Sequence, residues 1–169
     1  GAYFSNIGMI YYQSKKQERA LFYMNLSTSI NPNSIDAQNN LANIYSELKK
    51  PHDAIKHYNL ALKANPNNTA TLFNLGQVFV EMGNFNKAVN AFLQVVQIDP
   101  GFNSVHQMLA NLYLQEKQFT SALLHLKILA RTQPENLQNH LNIASTYGKM
   151  GQQALALETF KKIKTKFPN

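Results

Sequence analysis

Apolar and small residues recur along this chain with the spacing of helix faces, and the whole pattern repeats with a longer period. The prolines show that period most clearly, because five of the six stand 34 residues apart: Pro32, Pro66, Pro100, Pro134 and Pro168. A fixed period of this length is typical of repeat arrays. The prolines therefore divide the sequence into five units: 1–34, 35–68, 69–102, 103–136 and 137–169.

Within the units, residues of similar size occupy equivalent positions. Position 11 is always aromatic: Tyr11, Tyr45, Phe79, Tyr113 and Tyr147. Position 20 is always alanine: Ala20, Ala54, Ala88, Ala122 and Ala156. Position 24 is bulky in every unit: Met24, Tyr58, Phe92, Leu126 and Phe160. Small residues beside large ones let two helices pack closely, so each unit is predicted to fold as a helical pair.

The spacing predicts that each unit forms a helix of about a dozen residues, a short turn and a second, antiparallel helix. The proline of each unit stops the second helix, because it lacks an N–H and disfavours helix in the preceding residue. Gly83 and Gly151 are predicted to end first helices, and Pro51 to begin a second helix. Ser34 and Asn68 are predicted N-caps.

These columns resemble the tetratricopeptide repeat, whose pattern W-x2-L-G-x2-Y…A-x3-F…P has the same spacing. The resemblance covers essentially the whole chain. It implies an all-α fold of the α-α superhelix class, a tetratricopeptide (TPR) solenoid with about ten antiparallel helices in five hairpins. It also implies a single array over residues 1–169. Because the sequence begins Gly1-Ala2 without an initiator Met, we expect a fragment of a longer chain.

The main departure from the family pattern is the tryptophan position, which reads Phe4, Gln38, Leu72, His106 and His140. Varied bulk at this position predicts looser packing in the second unit, where the residue is glutamine. His106 and His140 are interpreted as packing residues rather than ligands, because their position faces the partner helix of the same unit.

Positions 2, 6, 9 and 13 of the first helices point away from the partner helix and are predicted to form the concave wall of a stacked array. Asparagine dominates that wall. The predicted partner contacts are Asn6, Asn40, Asn43, Asn74, Gln77, Asn111, Asn142, Glu47 and Glu81. An asparagine side chain offers an acceptor and two donors, so a row of them can pair with an extended peptide backbone. The row is similar to the asparagine ladder of superhelical family members, and Met108 interrupts it.

The predicted function is a protein–protein interaction scaffold that binds an extended peptide of a partner in a concave groove. Two alternatives stay open: a substrate-docking region of a larger enzyme such as a glycosyltransferase, and an architectural or oligomerisation module. A full-length sequence would show whether a catalytic domain is attached. This sequence contains no glycine-rich phosphate loop, nucleophile elbow or metal-ligand motif. We therefore expect no enzyme activity, catalytic residue, cofactor or metal.

The net charge of +7 raises the question of nucleic acid binding. Lysines fall in predicted turns and on second helices, without the continuous stripe and stacking aromatics that phosphate and base contacts need. We therefore expect protein or peptide partners and no nucleic acid. Positions 2 and 6 also lack the lysines and arginines with which some family members clamp acidic chaperone tails.

The last predicted helix carries an apolar stripe of Phe160, Ile163 and Phe167 among lysines. Either the native chain continues beyond this helix, or the terminal helices self-associate. No apolar run approaches the roughly 18 residues of a membrane span, and no span is expected. The lack of cysteine leaves both reducing and oxidising compartments open. The sequence leaves the localisation unknown, and the cytoplasm is taken only by default.

Overall fold

A computed structural model describes residues 1–168, and Asn169, the last residue of the predicted fifth unit, lies outside them. The described residues form ten α-helices and no β-strand. In chain order the helices are α1 (Ala2–Gln13), α2 (Gln17–Ile30), α3 (Ile35–Glu47), α4 (Pro51–Ala64), α5 (Thr69–Glu81), α6 (Phe85–Ile98), α7 (Asn103–Gln115), α8 (Phe119–Thr132), α9 (Leu137–Lys149) and α10 (Gln153–Lys166). The predicted all-α class and the five helical hairpins are confirmed.

The helices belong to two compact units of the chain, Gly1–Ile98 and Asp99–Asn169. In the first unit the hairpins α1–α2, α3–α4 and α5–α6 stack through contacts of α2 with α3 and of α4 with α5. In the second unit the hairpins α7–α8 and α9–α10 stack through α8 and α9. Each unit therefore has the arrangement of a helical repeat solenoid. Within residues 1–168, no helix has both the length and the apolar character that crossing a membrane requires.

The signals for helix ends act as predicted. The second helices of the five repeats end at Ile30, Ala64, Ile98, Thr132 and Lys166, each two residues before the proline of its repeat. The Ala37 N–H donates to Ser34 Oγ at 3.3 Å, and the Thr71 N–H donates to Asn68 Oδ1 at 2.9 Å. Both predicted N-caps are therefore confirmed, and Pro51 is the first residue of α4.

A residue in the left-handed backbone conformation closes every hairpin turn. It occupies position 15, with φ of 57° at Lys15, 57° at Lys49, 68° at Gly83, 56° at Lys117 and 74° at Gly151. This conformation lets the next N–H bond back to the first helix, as Asn84 N–H does to the Phe79 carbonyl at 2.8 Å. The predicted roles of Gly83 and Gly151 are confirmed. The three lysines were not predicted, because a side chain disfavours this conformation.

Large side chains at position 24 fill the space between one hairpin and the next. Met24 is fully buried and packs with Leu41 and Ile44 of the following hairpin. Ile44 belongs to position 10, a column that is buried at Ile44, Val78, Leu112 and Thr146. The predicted helix faces did not include this column, although its residues are apolar in four of the five units. The stacked hairpins therefore share a wider contact than the sequence pattern predicts.

The two helices of a hairpin approach most closely where position 8 is small. A Cβ added at Gly76 would lie 2.5 Å from Phe92 Cε1, which is too close for two carbon atoms. The hairpin α7–α8 has Ala110 at that position, and Ala110 shares a core cluster with Leu126. In α7–α8, a slightly larger residue at position 8 is thus accompanied by a smaller residue at position 24.

Position 4 of three repeats, where the family has tryptophan, carries a side chain that hydrogen-bonds to the backbone carbonyl of the proline in the preceding repeat. The bonds run from Gln38 Nε2 to Pro32 O at 2.8 Å, from His106 Nε2 to Pro100 O at 2.9 Å and from His140 Nε2 to Pro134 O at 2.9 Å. Gln38 is only 3% exposed, so the expectation of looser packing in the second repeat, residues 35–68, is wrong. A hydrogen-bonded amide fills the space there. His106, 1% exposed, is a packing residue as predicted.

In two of these hairpins, a histidine of the second helix forms a further hydrogen bond to the side chain at position 4. His57 Nδ1–H donates to Gln38 Oε1 at 2.7 Å, and His125 Nδ1–H donates to His106 Nδ1 at 2.9 Å. The direction of the histidine pair follows from the Pro100 carbonyl, which only accepts and so requires a proton on His106 Nε2. Burial, with the nearby His106, lowers the pKa of His125 to about 4. His125 is therefore neutral in the folded protein at neutral pH.

Candidate functional site

A cleft of about 290 Å³ opens on the unit Gly1–Ile98, along the first helices of its hairpins. The described residues that line it are Met9, Tyr12, Asn40, Asn43, Ser46, Glu47, Tyr58, Asn74, Gln77 and Glu81. Six of the nine predicted contact residues belong to this set. The structure thus brings together amides and carboxylates that the repeat pattern assigns to one wall.

The helical repeat explains why these side chains converge. Positions 6, 9 and 13 are spaced by three and four residues, so they follow one face of a helix. Helices α3 and α5 also contact each other directly. Asn74 Nδ2–H donates across this contact to Asn43 Oδ1 at 3.1 Å. Neighbouring hairpins therefore contribute to one continuous polar surface.

The hydroxyl of Tyr58 orients the centre of the cleft. It donates to Asn43 Oδ1 at 2.5 Å, beside the bond from Asn74. With its oxygen bonded twice, Asn43 has its Nδ2–H donors left for a ligand, and Asn74 has its Oδ1 acceptor left. Burial, followed by the charges of Glu81 and Glu47, raises the pKa of Tyr58. The hydroxyl therefore stays protonated and remains the donor.

Asn40 and Gln77 add two further amides to the cleft. Both side chains are partly exposed. Within the part of the chain that the structure describes, neither amide forms a side-chain hydrogen bond to another residue. Their donors and acceptors are therefore available to a ligand without breaking any bond of the folded protein.

Two carboxylates stand at one end of the cleft. Glu47 accepts a hydrogen bond from the Tyr12 hydroxyl, and Glu81 Oε2 lies 3.1 Å from Lys49 Nζ. Both partners of the Lys49 bridge are exposed, so the bridge contributes little stability. Lysine and arginine are absent from the described residues that line the cleft. Over residues 1–168, His, Asp and Glu side chains nowhere gather in a group of three that could hold a metal ion.

The other predicted contact residues lie outside the cleft. Asn6 is exposed on α1 and is not a lining residue. In the unit Asp99–Asn169, Gln107 Nε2 donates to Asn111 Oδ1 at 3.0 Å, and Gln138 Nε2 donates to Asn142 Oδ1 at 2.8 Å. Each donor stands four residues earlier on the same helix. These amides are engaged along their own helices rather than gathered into a common site.

Four lining residues are not among the predicted contacts: Met9, Tyr12, Ser46 and Tyr58. Position 24 otherwise holds Met, Phe or Leu, so the sequence pattern predicts that Tyr58 fills space in the core. A hydroxyl in this apolar column is the signal that could have identified it. Tyr12 and Ser46 belong to position 12, directly before the predicted position 13, and no pattern in that column distinguishes them.

The last helix exposes part of the apolar stripe predicted there. Phe160 is 45% exposed, although the equivalent residues of the four earlier hairpins are buried. Leu157 is 57% exposed on the same helix. Ile163 is buried, and the Phe167 ring lies 5.5 Å from the His140 ring. The uncovered part of α10 is therefore centred on Phe160 and Leu157.

Family models described as tetratricopeptide repeat match three parts of the sequence. They cover residues 2–34, 33–100 and 138–169. Together these matches span most of the chain. No curated protein sequence matches it.

Solved structures with a similar fold include MamA, with a TM-score of 0.85 and 16% identity over 98% of this chain and 90% of that chain. A MamA structure from Desulfovibrio magneticus RS-1 has a TM-score of 0.80 and 18% identity over 97% and 93%. YrrB, described as a TPR protein with an unusual peptide-binding site, has a TM-score of 0.79 and 19% identity over 98% and 86%. At these identities the likeness establishes the fold.

Proposed function

Because the chain belongs to the tetratricopeptide repeat family, a family of protein-interaction scaffolds, we propose that it binds an extended peptide segment of a partner protein. The proposed site is the cleft of residues 1–98. The observation that carries the proposal is the group of amides on its wall: Asn40, Asn43, Asn74 and Gln77. The similar fold of YrrB, which is described as having a peptide-binding site, supports a peptide as the ligand.

An extended peptide suits these amides because its backbone exposes N–H and C=O groups along its whole length. Asn74 Oδ1 accepts from a peptide N–H, and Asn43 Nδ2 donates to a peptide carbonyl. Asn40 and Gln77 add donors and acceptors on either side. A wall of this kind binds the main chain of the peptide more than its side chains. The preference for particular side chains in the bound segment must therefore come from other residues of the cleft.

A protein is a better partner for this surface than nucleic acid. Phosphates are bound mainly by lysine and arginine. The charged residues that line the cleft are instead Glu47 and Glu81. On α10, where lysines are most frequent, Lys162 Nζ lies 2.6 Å from Glu158 and is already paired.

The test uses peptides selected on the wild-type chain from a random displayed library. The double variant Asn40→Ala with Gln77→Ala removes two ligand-binding amides, each worth about 1 kcal/mol, so peptide affinity should fall roughly thirtyfold. Fluorescence anisotropy with a labelled peptide measures the change. The melting temperature should stay nearly the same, because neither amide bonds to the rest of the described chain.

The matched control is Asn111→Ala with Asn142→Ala. These residues belong to the same columns but are engaged along their own helices. The control should bind the selected peptides as the wild type does. Equal affinity of the cleft variant and the wild type would refute the cleft as the binding site.

Exposed apolar residues on α10 favour a second interaction, self-association through this helix. In three earlier hairpins, the hairpin that follows covers the residue equivalent to Phe160. These residues are Met24, Tyr58 and Leu126. Light scattering should therefore show concentration-dependent association that Phe160→Gln weakens. Phe22→Gln, which changes a phenylalanine 64% exposed on α2, is the control. A strict monomer at high concentration would contradict this interaction.

A further inference from the structure

The charge of the cleft is opposite in sign to the charge of the chain as a whole. The sequence has 16 lysine and arginine residues against 9 acidic residues. The charged side chains lining the cleft are nevertheless two glutamates, Glu47 and Glu81. We infer that the bound peptide carries a lysine or arginine whose cation sits at these two carboxylates. The inference rests on the proposed function and adds the chemical class of the partner.

The two carboxylates stand where the backbone also attracts a cation. Glu47 is the last residue of α3, and Glu81 is the last residue of α5. The C-terminal end of a helix carries partial negative charge from carbonyls without helical partners. Two helix ends and two carboxylates therefore act in the same direction at this end of the cleft.

The free protein already contains one cation bound in this way. Lys49 Nζ lies 3.1 Å from Glu81 Oε2, which shows that an ammonium group fits this carboxylate. The Lys49 side chain is 77% exposed, so a ligand cation can replace it at low cost. Glu47 accepts from the Tyr12 hydroxyl and retains further acceptor positions on its carboxylate.

The amides and the carboxylates form one surface rather than two separate sites. Asn40, Asn43 and Glu47 follow one face of α3, and Gln77 and Glu81 follow the equivalent face of α5. Burial and then the charges of both glutamates raise the pKa of Tyr58, the residue that bonds Asn43. A peptide held by the amides therefore brings its side chains within reach of the acidic end.

The experiment selects peptides from a random displayed library on the full chain and compares two charge variants. Glu47→Gln with Glu81→Gln neutralises the cleft. Glu116→Gln with Glu135→Gln makes the same charge change at exposed positions of the other unit. Each selected peptide is then synthesised with its basic residue replaced by norleucine, and its affinity for all three proteins is measured by fluorescence anisotropy.

Peptides selected on the wild type should carry lysine or arginine at one fixed place. The norleucine replacement should weaken binding roughly tenfold on the wild type and on the Glu116 and Glu135 control, but not on the Glu47 and Glu81 variant. Selected peptides without a basic position would overturn the inference. If such peptides still lose affinity on Asn40→Ala with Gln77→Ala, the proposed function stands alone. If they do not, or if no peptide is selected, both are overturned.

Discussion

The asparagine columns behave differently in residues 1–98 and in residues 99–168. In the first unit, Asn74 donates to Asn43 across two helices, and the Tyr58 hydroxyl donates to the same oxygen of Asn43. In the second unit, Asn111 and Asn142 each bond to a glutamine on their own helix. The comparison shows that an asparagine in the right column is not sufficient for a shared surface. The residue four positions earlier and the residue at position 24 decide where its amide points.

The cores of the hairpins show the same dependence on pairs of positions. Position 4 of a first helix faces position 23 of the second helix in the same hairpin. Both positions are polar in the pairs Gln38 with His57 and His106 with His125. Both are apolar in the pair Leu72 with Ala91. A polar residue at one position thus has a polar partner at the other. The side chains at these two positions are therefore matched in polarity within each of these hairpins. Exchanging whole pairs between hairpins tests this interpretation.

The largest effect is expected from breaking the closest helix approach. Gly76→Ala places a carbon 2.5 Å from the buried Phe92 ring and should destabilise the fold by about 2 kcal/mol, measured by urea denaturation. Adding Phe92→Leu reproduces the pair Ala110 and Leu126 of α7–α8. The double variant should then lose less stability than the sum of the two single variants. Additive losses would show that these positions are not matched as a pair.

A smaller effect is expected from acid at the histidine pair. The unfolded chain takes up the His125 proton near pH 6.5, whereas the folded chain takes it up only near pH 4. The unfolded state thus binds more protons in this range, so stability should fall by about 1–2 kcal/mol as the pH decreases from about 7 to about 5. Above about pH 7.5 this group adds no pH dependence. Urea denaturation at several pH values measures the change.

The control for the acid experiment is the apolar pair of the neighbouring hairpin. His106→Leu with His125→Ala reproduces Leu72 and Ala91. This variant should lose the part of the pH dependence that comes from His125 and keep the part that comes from His57, whose pKa burial also lowers. An identical pH profile for the variant and the wild type would contradict the assignment to His125.

The smallest effect is expected at the hairpin turns. Lys117→Gly should stabilise the fold by about 0.5–1 kcal/mol, because glycine adopts the left-handed conformation at φ 56° without a Cβ penalty. Lys49→Gly should gain less, since it also removes the ion pair with Glu81. Melting temperatures compare the two variants. Gly83→Lys should change the stability in the opposite direction, and a gain there would contradict the backbone argument.

The sequence by itself determined the period, the helices, their ends and most core columns. Those features depend on local rules: the spacing of apolar residues along a helix, the missing N–H of Pro66 or Pro134, the caps at Ser34 and Asn68. Six of the proposed contact residues could also be placed on one wall, because helical spacing and a constant repeat length are sufficient to do so.

Only the tertiary structure decided which amides meet in a cleft and which are engaged along their own helices. Hydrogen bonds such as Tyr58 to Asn43, or His125 to His106, join residues that are distant in sequence and depend on the distances between packed helices. The left-handed lysines are likewise imposed by the hairpin, against their own backbone preference. Local patterns determine the helices, and the packing of side chains between them determines the chemistry of the surface.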